Sequence, residues 1–324
     1  MQHRRQMLLR FGASWIAATF ALLAPAQTYP TRPVRLIVSV APGGNLDMMG
    51  RATAQALTEG LGRQVIVENR PGANSTIGAD HVARSAPDGY TLLMVAATLL
   101  IGPRMMSNPP FDPIRDFTGV SQIATLPQML VVHPSLPLRS TKDLIAFAQA
   151  RPGELNYATS GNGSGSHMAM ELFMRQANVR LTRIPYNGDG PALVNLLGGQ
   201  VPVKFGNLST SIGHVRAGRL RALGVTTPKR TDLLLEVPAI SETLPGFEAS
   251  IFNGMVAPSA TPKDVLARLH GEILKFVQSA ANRTRFAQLG VELQASPSPE
   301  HFTAVLRSEY ARFSKIIEEA GITQ

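Results

Sequence analysis

The sequence contains no cysteine among its 324 residues. This absence excludes disulfide bonds, thiolate metal sites, iron–sulfur clusters and a cysteine nucleophile. Charged residues are also scarce, at 16% against 44% hydrophobic residues, which argues against a disordered chain or a coiled coil. A chain of this length and composition is expected to form a globular protein with two domains.

Motifs of catalysis and metal binding are missing as well. No G-x-S-x-G nucleophile elbow occurs. The histidines show neither H-x-x-x-H nor H-x-H spacing, so we expect no metal site. Residues 161–166 loosely match a dinucleotide fingerprint, but the third glycine and an acid about 20 residues later are missing. An enzyme, whether a hydrolase or a dehydrogenase, is therefore the less favoured class, and we expect no cofactor.

The N-terminal segment 1–26 has the pattern of a signal peptide. Three arginines precede the apolar residues 15–23, and Ala24 and Ala26 form a cleavage pattern before Gln27. We therefore expect export to the periplasm by the general secretory or the twin-arginine route, with a buried N-terminal helix as the alternative. No later segment reaches 18 consecutive apolar residues, so we expect the exported chain to be soluble.

The formal net charge is +9, and removal of the three arginines in residues 1–26 would lower it to +6. The remaining basic residues are scattered and are not interleaved with aromatic residues, so we expect no nucleic-acid partner. A positive field favours the approach of anionic ligands, although a solvated surface explains the same charge.

Apolar runs and helical periodicity alternate along the chain, which predicts an α/β fold with parallel-rich sheets. In the first part, residues 34–40, 64–68 and 90–96 are predicted strands, and helices follow the first two of them. Residues 103–116 are predicted as a loop. Further strands are predicted at residues 129–133, 155–159, 181–185, 201–205 and 220–226, and helices at residues 140–148, 168–174, 191–197 and 299–320. Pro202 places its strand at a sheet edge or marks its start.

An internal repeat suggests two domains. Residues 129–135 and residues 255–259 are both apolar strands that end in Pro-Ser and lead into a helix. They are interpreted as two crossings between domains. Domain 1 is then predicted to comprise residues 27–128 and 258–324, and domain 2 residues 129–257.

Two glycine-rich turns are the candidate binding elements. Residues 41–45 and residues 160–167 each follow a predicted strand and precede a helix. Glycine allows close backbone approach, and the N-terminus of the next helix offers N–H groups to an anion. A tight structural turn explains either one alone, but two such turns facing one cleft would clamp a carboxylate. Asp47 either stabilises its helix dipole or contacts the ligand, and His167 either contacts the ligand or caps and packs.

These residues, taken together, resemble the Bug-type solute receptors of tripartite tricarboxylate transporters. The resemblance covers nearly the whole chain after the signal peptide. The matching stretches are residues 32–47, 64–93, 111–117, 155–173, 185–201, 217–230 and 255–269. The resemblance implies a two-domain periplasmic binding protein of type II-like fold with two hinge crossings. It also implies a monomer that holds a small organic carboxylate in its cleft and passes it to a membrane permease. The ligand is expected to be a di- or tricarboxylate, an aromatic carboxylate or an amino acid. A sensor or scavenger without its own permease is the alternative.

The resemblance also implies a set of site residues. The predicted ligand-binding residues are Pro42, Gly43, Gly44, Asn45, Asp47, Ser160, Gly161, Asn162, Gly163, Ser164, Ser166, His167 and Asn207. The chain departs from the family pattern at Asn45, Asp189, Pro202, Lys204 and Gly206. Lys204 is a candidate to bind a second anionic group of the ligand, or it is a strand lysine whose side chain reaches solvent. Asp189 is a candidate to bind an ammonium group of the ligand, or it only ends a turn.

Overall fold

The computed structural model describes residues 29–43, 45–186 and 188–320. The predicted signal peptide, residues 1–26, and Gly44 of the first glycine turn lie outside the described residues. The strands are β1 Val34–Val38, β2 Val65–Asn69, β3 Thr91–Val95, β4 Phe117–Leu126, β5 Gln128–Val132, β6 Asn156–Thr159, β7 Thr182–Pro185, β8 Val203–Asn207, β9 Arg221–Val225, β10 Ile251–Pro258 and β11 Glu292–Leu293. The helices are α1 Asn45–Leu61, α2 Thr76–Ala83, α3 Thr98–Arg104, α4 Thr141–Ala150, α5 Gly165–Ala177, α6 Asp189–Leu197, α7 Leu208–Arg216, α8 Lys263–Gln278, α9 Ala280–Gln288 and α10 Pro299–Ala320.

The first sheet has the strand order β11-β4-β10-β3-β1-β2. Strand β1 pairs in parallel with β2 and β3, as the β-α-β-α-β pattern predicts. Strand β10 pairs antiparallel with both β3 and β4. Strand β1 consists of Val34, Leu36, Ile37 and Val38 around a single arginine, and these four apolar side chains are buried because helices cover both faces.

The second sheet has the strand order β7-β6-β8-β5-β9. Strand β6 pairs in parallel with β7 and β8, and β5 pairs antiparallel with β8 and β9. Pro202 lies immediately before β8, which is a central strand. Of the two positions predicted for this proline, the structure therefore shows the start of a strand, where its missing N–H removes no ladder hydrogen bond.

The chain passes between the sheets twice. Pro127 alone separates β4 of the first sheet from β5 of the second. The return follows β9 and a 3-10 turn at Ile240–Glu242 and reaches β10 of the first sheet. Because residues 251–257 pair with β3 and β4, we propose a domain boundary before Ile251 and not at residue 257.

Buried side chains join the two sheets. One apolar cluster extends from Ile37 and Leu93 of the first sheet to Leu130 and Phe205 of the second. Burying a side chain of this size contributes roughly 2–3 kcal/mol. Helix α10 packs on β4 and α3 and also contacts α5 of the second half.

The segment 103–116 differs in part from its prediction as a loop. Helix α3 extends to Arg104 and includes Pro103, which has no N–H to donate to the Leu99 carbonyl, and the helix ends one residue later. Strand β4 follows at Phe117. Within the described residues, no helix combines the length and the apolar character needed to cross a membrane.

Candidate functional site

The first glycine turn lies at the point where the chain path over the first sheet changes direction. Strands β1 and β3 are neighbours. Helix α1 leads from β1 to β2 on one side, whereas α3 leads from β3 towards β4 on the other. Such switch points leave a crevice outside the carboxyl ends of the strands, and ligands of open α/β sheets bind there. The chain that follows β1, which leads into the first glycine turn, therefore starts at this crevice.

The second glycine turn occupies the equivalent place on the second sheet. Strands β6 and β8 are parallel neighbours. Helix α5 leads from β6 outward to β7, and α7 leads from β8 in the opposite direction to β9. Residues 160–164 follow β6, and Asn207 ends β8 and immediately precedes α7. The topology therefore brings Ser160 and Asn207, far apart in sequence, to one crevice.

A buried carboxylate organises the first turn. The Gly43 N–H donates to Asp47 Oδ2 over 2.9 Å, and Arg51 donates to both carboxylate oxygens over 3.0 Å. Asn69 Nδ2 donates to Asp47 Oδ1 over 2.8 Å. Asp47 is only 3% exposed, and these contacts use both of its oxygens. The geometry favours the structural interpretation of Asp47 over a direct ligand contact.

The environment of Asp47 lowers its pKa. Burial by itself would raise the pKa, but hydrogen bonds from Arg51, the Gly43 N–H and Asn69 outweigh it, together with the charge of Arg51. The carboxylate is therefore ionised near neutral pH and lies in the first turn of α1, where the helix dipole stabilises a negative charge.

Two other predicted residues of this turn differ in their surroundings. Pro42 is exposed near the start of the turn. Asn45 begins α1, and its Oδ1 is buried without a hydrogen bond inside the described part of the chain.

Hydroxyl groups and an imidazole organise the second turn. Ser164 caps α5, accepting a hydrogen bond from the His167 N–H at 3.3 Å. The Ser160 N–H donates to Ser166 Oγ over 3.0 Å. The Gly163 N–H donates to His167 Nδ1 over 3.1 Å, with Gly163 at a φ of +66°, which only glycine adopts at little cost.

His167 is 1% exposed and belongs to the interior of the turn. His167 Nδ1 accepts from the Gly163 N–H, and Nε2 lies 3.3 Å from Glu171 Oε1. Tyr157 also donates to Glu171, over 2.8 Å. Burial would raise the pKa of Glu171, but the hydrogen bonds from His167 and Tyr157 outweigh it and lower that pKa. Of the two predicted roles of His167, the structure favours capping and packing.

An arginine from the neighbouring strand holds the rest of the turn. Arg183 Nη1 donates to Asn162 Oδ1 over 2.5 Å and lies 2.9 Å from His167 Nε2. Gly161, between Ser160 and Asn162, has a φ of +130°. The predicted residues 160–167 thus form one connected hydrogen-bonded unit at the carboxyl end of β6.

Lys204 and Asp189 pair with each other. Lys204 Nζ donates to Asp189 Oδ1 over 2.5 Å, and the Lys204 side chain is 1% exposed. Asp189 also accepts from Thr210 Oγ1 at 2.9 Å and from Ser160 Oγ at 3.3 Å. Burial would raise the pKa of Asp189, but Lys204 and the three hydrogen bonds outweigh it and lower that pKa. The lysine does not reach solvent, and the aspartate links α6 to the second turn.

The second turn approaches the crevice of the first sheet. A Cβ placed on Gly163 would lie 2.6 Å from Met105 Sδ, 2.8 Å from Ile101 Cγ2 and 3.2 Å from Asn74 Nδ2. Asn74 belongs to a left-handed run, Ala73, Asn74 and Ser75, with φ values of 44°, 52° and 73°. The contact is therefore made through residues that follow β2 and β3.

These contact residues were missed from sequence. Ser75 accepts a hydrogen bond from Thr98 Oγ1 at 3.1 Å, and Asn74 Nδ2 is buried without a partner among the described residues. The available signal was the short polar segment Asn74-Ser75-Thr76 between a strand and a helix. Within the described residues, no group of three or more histidine, aspartate or glutamate side chains is placed to hold a metal ion.

Comparison with known proteins identifies relatives of this arrangement. Protein BugT of Bordetella pertussis is 38% identical over 312 residues, covering 94% of each chain. The structure of R. palustris Rpa4515 with adipate superposes with a TM-score of 0.81 at 35% identity, covering 91% of this chain and 99% of the other. The periplasmic binding protein BugD superposes with a TM-score of 0.78 at 31% identity, with coverages of 91% and 99%.

A family model for the tripartite tricarboxylate transporter family receptor matches residues 49–322. The match confirms the family and the periplasmic binding protein fold inferred from the sequence. The chain is therefore a solute-binding receptor and not an enzyme, and it belongs to the tripartite tricarboxylate transporter receptor family.

Proposed function

We propose that the chain captures a small organic carboxylate in the crevice between its two sheets. The observation that carries the proposal is that both glycine turns lie at topological switch points, with Gly163 of one against residues that follow strands of the other sheet. Rpa4515 was solved with adipate, a small organic carboxylate, which supports the ligand class.

Backbone groups are the proposed carboxylate donors. The first turns of α1 and α5 carry partial positive charge at the carboxyl ends of β1 and β6. Asp47 and His167 hold the turns in shape from inside, so their side chains act on the ligand indirectly. The net positive charge of the chain supports the approach of an anion.

Ligand binding is proposed to favour closure of the two halves. The chain crosses between the sheets at Pro127 and again before Ile251, so a rotation about these crossings would open and close the crevice. Closure brings Gly163 against Asn74, Ile101 and Met105. We propose that the closed monomer delivers its ligand in the periplasm to a permease of the same transporter family.

A thermal-shift screen of residues 27–324 tests the ligand class. The panel contains mono-, di- and tricarboxylates, and the matched alcohols and amides serve as uncharged controls. At about 100-fold excess over Kd, a binding carboxylate is expected to stabilise the folded state by about 2–3 kcal/mol. If no carboxylate raises the melting temperature, or if the uncharged analogues raise it equally, the proposal is wrong.

Delivery and export need separate measurements. Uptake of the labelled carboxylate by cells that express the permease should fall when the receptor is absent. N-terminal sequencing of the exported protein should start at Gln27. Uptake that is independent of the receptor would contradict the transport role while leaving carboxylate binding intact.

A further inference from the structure

A carboxylate-binding arrangement already exists in the crevice of the second sheet, and the chain fills it with its own side chain. Asp189, the first residue of α6, accepts from Lys204 Nζ at 2.5 Å, Thr210 Oγ1 at 2.9 Å and Ser160 Oγ at 3.3 Å. These donors come from β8, from α7 and from the second glycine turn. An ammonium and two hydroxyls that converge on one carboxylate are what a protein uses to bind a carboxylate ligand.

Charge and burial determine what an incoming ligand would meet. Lys204 is 1% exposed, whereas the side chain of Asp189 is 22% exposed. The cation therefore lies behind the carboxylate, and the carboxylate forms the accessible surface. A ligand group that arrives beside Ser160 would meet the negative charge of Asp189. The Lys204 ammonium is already paired with that carboxylate.

We propose that Asp189 is a specificity-determining residue that occupies a carboxylate subsite and selects ligands with one carboxylate. The inference rests on the proposed function, because it assumes that a carboxylate binds between the two glycine turns. The part of the ligand that faces Asp189 is then uncharged or cationic. A second carboxylate at that position is repelled by Asp189 and cannot reach Lys204.

Isothermal titration with matched ligand pairs tests this selection. Hexanoate is compared with adipate, and butanoate with succinate, because each pair differs by one carboxylate at equal chain length. Wild-type protein should bind the monocarboxylate at least as tightly as the dicarboxylate. Asp189→Ala frees Lys204, Thr210 and Ser160, so the ratio of dicarboxylate to monocarboxylate affinity should rise at least tenfold.

Two further variants separate charge from structure. Lys204→Met in the Asp189→Ala background removes the freed cation and should abolish the gain for the dicarboxylate. Asp143→Ala removes a carboxylate at the start of α4, at the opposite edge of the same sheet, because β5 runs antiparallel to β8. This control should leave the affinity ratio within twofold of wild type. If Asp189→Ala does not fold, Asp189→Asn keeps the volume and removes only the repulsion, because its amide still covers Lys204. The ratio should then rise by about threefold to fivefold.

The outcomes distinguish this inference from the function on which it rests. If carboxylates bind but neither Asp189 variant changes the ratio by more than twofold, the inference is wrong and the receptor function stands. Preference of the wild-type protein for the dicarboxylate of each pair would also overturn it. A wild-type protein that binds no carboxylate overturns both.

Discussion

The two glycine turns serve the same place in their sheets but are held by different chemistry. In the first, the ionised carboxylate of Asp47 accepts hydrogen bonds from the Gly43 N–H, Arg51 and Asn69. In the second, the His167 imidazole and serine hydroxyls accept from the backbone N–H groups, and Arg183 donates to the Asn162 side chain. A hydrogen bond to a charged group is roughly twice as strong as a neutral one. The backbone of the first turn should therefore depend on the ionisation of Asp47. The backbone of the second turn should depend on the shape of the side chain at position 167, which must place an acceptor atom near the Gly163 N–H.

The largest effect is expected from Gly163→Ala. The new methyl group would collide with Met105 and Ile101, and a φ of +66° adds backbone strain of about 1 kcal/mol. Carboxylate affinity should fall more than tenfold by isothermal titration, with an unchanged far-UV circular dichroism spectrum. Gly62→Ala is the matched control, because Gly62 has the same φ of +66° and nothing within 4 Å of its added Cβ. If both variants lose affinity equally, the contact of the second turn with the first sheet is unimportant.

The next largest effect is expected from Asp47→Asn, which removes the charge that organises the first turn. Losing the ionic hydrogen bonds of a buried carboxylate should lower the free energy of unfolding by about 2 kcal/mol, measured in urea. The pKa of Asp47 is lowered from 3.8, so its contribution is complete above that value and is lost as the pH falls through the folded pKa.

The pH profile then separates the two turns. The stability difference between wild type and Asp47→Asn should be constant above about pH 5 and should shrink as the pH falls below 3.8. A difference that stays constant down to pH 2 would show that the turn does not depend on this charge.

A smaller effect is expected from replacing His167 by a side chain that keeps an acceptor atom near the Gly163 N–H. His167→Asn can still accept the Gly163 N–H in place of Nδ1, whereas His167→Leu cannot. Affinity should fall about threefold for the first variant and about tenfold for the second, since one turn hydrogen bond contributes roughly 1 kcal/mol. Equal losses would show that the imidazole acts through another contact.

The smallest effect is expected at the ion pair between Arg175 of α5 and Glu319 of α10. Both side chains are more than two-fifths exposed, so Glu319→Gln should change the free energy of unfolding by less than about 1 kcal/mol. The change should vanish in 1 M salt. A larger or salt-independent change would show that this ion pair stabilises the fold more than a solvent-screened surface contact does.

Local patterns were sufficient to predict much of the fold. Strand β1 is a short apolar run, as predicted, and the helix predicted over residues 140–148 is α4, which Ser140 caps by accepting from the Asp143 N–H. Strand β4 was missed because Thr118, Ser121 and Gln122 interrupt its apolar pattern. Its partners are β10 and β11, which lie more than 120 residues later, so no local signal marks it.

The site was predictable to the extent that it depends on glycine. The turns at residues 41–45 and 160–167 need positive φ values, which glycine marks in the sequence. The pairing of Lys204 with Asp189 was not predictable, because it depends on the packing of the start of α6 against β8. Asn74 was missed because its left-handed conformation carries no glycine.

The link through Pro127 has a practical consequence. A ring that fixes φ in the shortest connection between the sheets confines any bending there to a few bonds. Because the sequence has no cysteine, a single engineered thiol on each half could carry a fluorophore without side reactions. The molecule is thus suited to conversion into an optical sensor, whose emission would report the angle between its halves.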